Sequence, residues 1–539
     1  MAEGIVAHLA DEGGGAAVLL QCGQKVARCP AGLGFQGGIA RFVGGNGGKI
    51  IEQFAQCHNI FHNSISFSFL AGGLFGKGPC NALFNFKCLV QAVIQQKQCD
   101  EKVEPAAHKG QQQQGPGGKQ HHEQPPHQLE QRGAHRDPEI LHGKQQGVAQ
   151  PHHRALVKLL LLYTGVQQAG DRPEDVNQLQ CLAMGDGTDF VKDAANPVIG
   201  ADLLPEGGSA VDFRDPKIWY EDGGYHCVVS TRDANDQGRI LLFESPDARR
   251  WTYRATLDSC RWEYGKMWEC PDFFPLEGKQ LLLVSPQEME ASPDGEFHPG
   301  FGTVALLGRY DKATARFTRE TVQPIDYGTD FYAPQTVLTP DGRRVMVAWM
   351  ENWATVNEAP RRHKWFGRMT MPRELFLREG RLCQRPVREL ETLWQDTLTR
   401  HEVLDGDAVY EGVAGRRLDL TVTLDAAASP DCRRFTLCFA QDARHRTTVE
   451  WSPVYNELLF DRSGCGTRRD IPYLRRLKAA PKDGKLTLRL ILDGDCLELF
   501  VNDGERTLTA LLDTPAEADG ISLHSEGAVT LELVQHTLH

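Results

Sequence analysis

At 539 residues the chain is longer than a single hydrophobic core sustains, and 41% hydrophobic against 24% charged residues is the balance of a folded protein, not a disordered one. A formal net charge of −12 argues against a nucleic-acid or anionic-membrane partner, because both are bound by Lys and Arg that displace counterions. The opening MAEGIVAHLADEGGG has no basic stretch leading into an apolar one, and no window reaches the roughly 18 apolar residues of a membrane span, so a cytoplasmic protein is expected.

Residues 1–155 form the first region and stand apart. The first tyrosine is Tyr163 and the first tryptophan Trp219, so all nine Trp and eleven Tyr lie beyond the first 162 residues. Glycine-rich runs (GGNGGK, AGGLFGKG) give way to QQQQGPGGKQHHEQPPHQLEQRG, which has no helical or strand periodicity and too little apolar content for a core. No fold is expected over 101–153. The fifteen cysteines are scattered without a CxxC pair, and the doublets His121-His122 and His152-His153 lack cysteine partners, so neither a metal site nor a disulfide framework is expected.

From about Leu156 short apolar runs such as LLLLYTG, YHCVVST, RILLFES, QLLLVSP and RVMVAWM alternate with Asp, Gly, Pro and Asn clusters. That spacing predicts an all-β chain, and YEDGGY, LEGKQ and TPDGRR read as hairpin turns in up-and-down sheets. Over 156–380 it suits a propeller or a large sandwich. Over 390–539, RRFTLCFA, KLTLRLILDGDCLELFVNDGE and AVTLELVQH alternate apolar and polar residues, as the one-sided strands of a β-sandwich do.

In such a protein, paired carboxylates near strand ends suit glycosidic bond cleavage, one as acid and another as nucleophile or base. Two candidates stand out: Asp215 in DFRDPKIW, beside Arg214, and Glu269 in MWECPDFF. Proline at the next position is expected to hold Asp215 and Cys270 extended. Arg214 is expected to keep Asp215 ionised, and the apolar neighbours of Glu269 to favour its protonated form. Alone, an Arg-Asp-Pro is more often a turn with a local ion pair, and HRDPE at 135–139 offers a second copy.

Order adds what each motif lacks. The succession LLYTG, QCLA, NPVI, DFRDPKIW, WECPDFF, DYGTDFYAPQT, AWMENW and RMTMPREL, followed by LRLILDGDCLELFVNDGE, resembles glycoside hydrolase family 32, the invertases, sucrose-6-phosphate hydrolases, inulinases and levanases. The resemblance covers about 156–539. It implies a five-bladed β-propeller followed by a β-sandwich, no cofactor, and retaining hydrolysis of β-fructofuranosides such as sucrose or sucrose 6-phosphate, a small-molecule sugar substrate. It further implies Glu269 as acid and base, and Asp215, with Arg214 beside it, as the group that grips fructose and supports the transition state. Asp330, Tyr332 and Trp349 would bind substrate, or else serve as propeller core. Cys270 would tune the acid from behind, or simply pack. RRHK at 361–364 would meet a 6-phosphate, or be a solvated loop.

The family's nucleophile belongs to an Asn-Asp-Pro-Asn-Gly motif that this sequence does not contain, and no nucleophile is identified. Residues 1–155 are therefore expected to be a frameshifted or misjoined reading in place of the first blade. A non-catalytic fructoside-binding remnant is the alternative to an enzyme; a related arabinosidase fits the WECPD motif and the separate sandwich less well.

Overall fold

The apolar runs bounded by turn residues fold as antiparallel strands that pair mostly in sequence order. The computed structural model describes Ile5–Leu9, Ala16–Leu20, Ser68–Leu70 and residues 159–172, 175–358, 367–466 and 471–539. Apart from those three short strands, the readings for 1–155, the His121-His122 and His152-His153 doublets included, lie outside the described residues. So does RRHK at 361–364. Ile5–Leu9 pairs with Ala16–Leu20 as a hairpin. All of the described strands belong to one unit formed by Met1–Lys97 and Val157–His539.

Among the described residues four sheets of the propeller follow in turn. The first joins Ser68–Leu70 to Leu159–Gln168, Val176–Gly185 and Phe190–Lys192. The second contains Arg214–Glu221, Gly224–Arg232, Gly238–Ser245 and Thr252–Ser259 in sequence order. The third is Trp268–Leu276, Lys279–Pro286, Val304–Asp311 and Arg316–Pro324. The fourth is Tyr332–Leu338, Arg344–Met350, Arg373–Arg378 and Arg381–Pro386, with Arg368–Met369 on its flank.

The predicted hairpins form where the turn residues can take positive φ. Asp222 (φ 50°) and Gly223 (φ 83°) join Glu221 to its partner Gly224, and Glu277 (φ 46°) with Gly278 (φ 83°) joins Leu276 to Lys279. Separate apolar layers then bind each sheet to the next: Leu162, Ile218 and Phe243 between the first and second, Val228, Trp268 and Leu306 between the second and third, and Phe274, Leu307 and Met346 between the third and fourth. Radial stacking of this kind is a propeller.

The C-terminal domain is the expected β-sandwich. Its spine is the 19-residue strand Gly520–Leu538, which bends at Gly527 (φ 86°) and serves two leaves. Its first half pairs with Arg434–Gln441 and its second half with Arg417–Asp425. Leu420, Phe435, Trp451, Leu488 and Leu499 fill the space between the leaves.

Propeller and sandwich are held by buried charge. The Asp326 carboxylate accepts from the backbone N–H of Thr509 (2.8 Å) and from Arg373 (2.9 Å), while Arg373 also grips Glu498 (2.6 and 2.8 Å). Arg462 pairs with Asp330, which also accepts from the N–H of Leu511 (2.8 Å). Between the two aspartates, Gly328 lies so close to the sandwich that a Cβ there would fall 1.8 Å from the Thr509 carbonyl oxygen.

Candidate active site

Three sheets begin their first strand with the same device. Arg214-Asp215-Pro216, Glu269-Cys270-Pro271 and Tyr332-Ala333-Pro334 each place the middle residue at positive φ, 66°, 51° and 52°. In each, the ladder to the next strand slips by one residue, between Arg214 and Lys217, Glu269 and Asp272, and Tyr332 and Gln335. The extended geometry expected at Asp215 and Cys270 is therefore not what forms. The ladder carries a β-bulge, where the extra residue turns left-handed and the strand bends.

The bulges bring the three leading side chains together. Arg214 donates through Nε (3.0 Å) and Nη2 (2.8 Å) to Glu269 Oε1, and the Tyr332 hydroxyl donates to Glu269 Oε2 (2.7 Å) and to the Ser285 carbonyl (3.0 Å). Asp215 Oδ2 lies 4.0 Å from Arg214 Nε, so both candidate carboxylates flank one guanidinium nitrogen. Glu269 is 0% and Asp215 2% exposed. Gln178 and Asp212 accept from Arg214 Nη1 (3.1 and 2.9 Å), and Thr164, from the Tyr-Thr-Gly run, accepts the Asp215 N–H (3.1 Å).

Cys270, expected behind Glu269, bonds Asp215: it donates its N–H (3.0 Å) and lies with its sulfur 3.7 Å from Asp215 Oδ2. Nor does the neighbouring arginine keep Asp215 in the ordinary carboxylate range. Burial pushes it up to about 6, reinforced by the charge of Glu269 and opposed by Arg214. Burial alone would lower Arg214, but Glu269, Asp215 and Asp212 outweigh it and hold the cation charged. The Tyr332 phenol is raised well above its usual value by burial and then by Glu269, so it remains a proton donor.

A second tier lies one step further along the same strands. Lys217 Nζ reaches Asp272 Oδ2 (3.2 Å), Gln335 Oε1 (3.1 Å) and the Thr336 carbonyl (2.8 Å), and Asp272 accepts the Thr336 N–H (2.6 Å). These residues were not singled out from the sequence. The signal was there, in three triplets ending in proline, each followed by Lys217, Asp272 or Gln335.

The structure does not bring every candidate into this network. Trp349 is paired across the ladder with Tyr332, and its ring lies 4.9 Å from that of Trp353. Asp330, expected to bind substrate or else to serve as propeller core, is fully buried in its pair with Arg462 at the domain interface. Among the described residues no group of three or more His, Cys, Asp and Glu could hold a metal ion.

Comparison with known proteins covers both domains. The Glycosyl hydrolases family 32 N-terminal domain matches residues 122–386 and the family 32 C-terminal domain 389–539; the first match begins before the break at 156. The chain is 36% identical over 377 residues to a raffinose invertase of Escherichia coli, covering 68% of this chain and 74% of that one. A probable sucrose-6-phosphate hydrolase of Vibrio cholerae is 33% identical over 389 residues, 71% of this chain and 66% of its own, just under two thirds. Among solved structures, a family 32 β-fructofuranosidase of Bombyx mori aligns with a TM-score of 0.60 at 30% identity, over 71% of this chain and 77% of that one. With both family domains matched end to end along propeller and sandwich, the chain belongs to glycosyl hydrolase family 32.

Proposed function

We propose that the protein is a β-fructofuranosidase that releases fructose from sucrose or sucrose 6-phosphate. The observation that carries this reading is the convergence of Glu269 and Asp215 on either side of Arg214, with Tyr332 on the far oxygen of Glu269. In it, Glu269 protonates the leaving glucosyl oxygen as the glycosidic bond breaks, then takes a proton from the water that releases fructose. Arg214 and Tyr332 fix the rotamer of Glu269 for both steps, and Asp215 accepts hydrogen bonds from fructose hydroxyls. Trp349, beside Tyr332, walls the sugar.

The covalent step of a retaining mechanism needs a further carboxylate as nucleophile. Since the sequence has no Asn-Asp-Pro-Asn-Gly motif, turnover is expected to be slow, as loss of a nucleophile costs several orders of magnitude. That same absence favours a second reading, a fructoside-binding protein that has lost hydrolysis. Fructose release from sucrose and sucrose 6-phosphate separates the two. Turnover abolished by Glu269→Gln supports the enzyme; calorimetric binding without turnover supports the remnant, and neither binding nor turnover removes both.

A further inference from the structure

A groove of about 270 Å³ lies where the last two strands of the fourth propeller sheet approach the sandwich. Arg378 and Arg385 line it from the propeller, Lys482, Lys485 and Arg489 from the sandwich, and Asp503 is its single acidic side chain. In a chain of net charge −12, five cations face this groove with one carboxylate among its lining side chains, while Asp419, Glu374, Glu379 and Glu505 pair with them from outside the lining.

The guanidinium groups are braced. Arg489 is held by two bonds to Asp419 (2.9 and 2.7 Å), Arg378 by Asp503 (2.5 Å) and the Asn502 carbonyl (3.1 Å), and Arg385 by Glu374 (3.1 Å). Each contact fixes a planar fork and leaves other N–H groups of the same fork for a ligand. Lys482 is shared by Glu379 and Glu505 at 3.2 and 3.4 Å. Lys485 is exposed and has no carboxylate partner among the described residues.

We propose that this groove binds the phosphate group of a phosphorylated sugar. Braced arginine forks match phosphate oxygens two at a time, and a nearby free ammonium adds a point charge. The hydroxyls of Thr421 and Thr487, also in the lining, suit the sugar. The volume, near the lower end of the roughly 300–1,000 Å³ of small-molecule sites, takes a monosaccharide phosphate. The groove lies between Arg489 and Arg385, on residues that none of the Glu269, Asp215 and Arg214 bonds involve.

Titration calorimetry of the full chain with fructose 6-phosphate, fructose and inorganic phosphate tests it. Fructose 6-phosphate should bind at least about tenfold more tightly than fructose, and more weakly as salt rises. Lys485→Glu, at an exposed site with no partner to lose, and Arg385→Glu should each weaken it about tenfold. Glu269→Gln should change it less than about twofold, which separates the groove from the candidate active site. Inorganic phosphate binding as tightly as the sugar phosphate would identify free phosphate as the occupant of the same anion site. Absence of heat with either phosphate, full binding by Lys485→Glu, or loss of binding in Glu269→Gln would overturn the proposal.

Discussion

Replacing Arg373 by methionine tests how the two domains are joined. The guanidinium is fully buried and bonds Asp326, Glu498, Gln384 and Thr509, with the rings of Phe331 and Phe500 at 5.0 and 5.2 Å from its central carbon. Removing one partner of a buried ion pair costs about 3–5 kcal/mol, because the remaining charge is left without compensation. Here two carboxylates are stranded. Partial relief comes from Thr509, which still donates its N–H (2.8 Å) and hydroxyl (2.6 Å) to Asp326, and from the Met371 N–H on Glu498 (2.6 Å). The expected loss is therefore about 4 kcal/mol, a large share of the roughly 5–15 kcal/mol that holds a typical protein folded.

The loss should also depend on pH. Burial already raises the Glu498 carboxyl, and Arg373 is the first influence opposing it. Without the arginine it rises further, and a raised folded-state value contributes stability that is present at low pH and lost as pH climbs through it. Urea unfolding followed by tryptophan fluorescence at pH 5 and pH 8 should show the smaller penalty at pH 5, and Arg373→Met/Glu498→Gln should recover part of it. A penalty under about 1 kcal/mol at both pH values would refute the view that this ion cluster holds the interface.

Gly328→Ala would drive a methyl group against the Thr509 carbonyl at 1.8 Å and its N–H nitrogen at 2.5 Å, so the domains must separate locally. Unfolding measurements should show a loss of about 3 kcal/mol, and an unchanged midpoint would mean the loop does not dock there. Asp215→Asn removes a carboxyl that burial, reinforced by Glu269, raises above its ordinary value. That raised value contributes stability that is present at low pH and lost as pH rises through it, so the variant should gain stability relative to the wild type as pH climbs from 4 to 8. Parallel stability curves for the two would show that Asp215 titrates as it does in the unfolded chain.

The strands were legible because their apolar runs end in residues that tolerate positive φ, as at Asp222-Gly223 and Glu277-Gly278. The pair Glu269 and Asp215 was legible as motifs, and their approach was not, since nothing in the 55 residues that separate Arg214 from Glu269 specifies it. The bulges supply that link, and proline masked them: the expectation that it extends the preceding residue is a statement about isolated chains, whereas ladder slippage at Arg214, Glu269 and Tyr332 overrides it. Asp330 misled for a different reason. Its partner Arg462 lies 132 residues away in another domain, and local sequence carries no mark of such a contact.

The stretch DYGTDFYAP shows why interface and catalytic geometry have to be considered together. Asp326 and Asp330 bond the strand Arg506–Leu511 through its Thr509 and Leu511 N–H groups, and the Tyr327 N–H bonds Thr507. Two residues after Asp330, Tyr332 donates to Glu269, and Ala333 donates its N–H to the Ser285 hydroxyl (3.1 Å). This short segment is anchored at one end by buried charge and at the other by the candidate acid. The bond from the sandwich to Asp330 and the bond from Tyr332 to Glu269 Oε2 are thus two residues apart on one segment, so the residues that dock the domains also place the hydroxyl that fixes the direction from which a proton can be delivered.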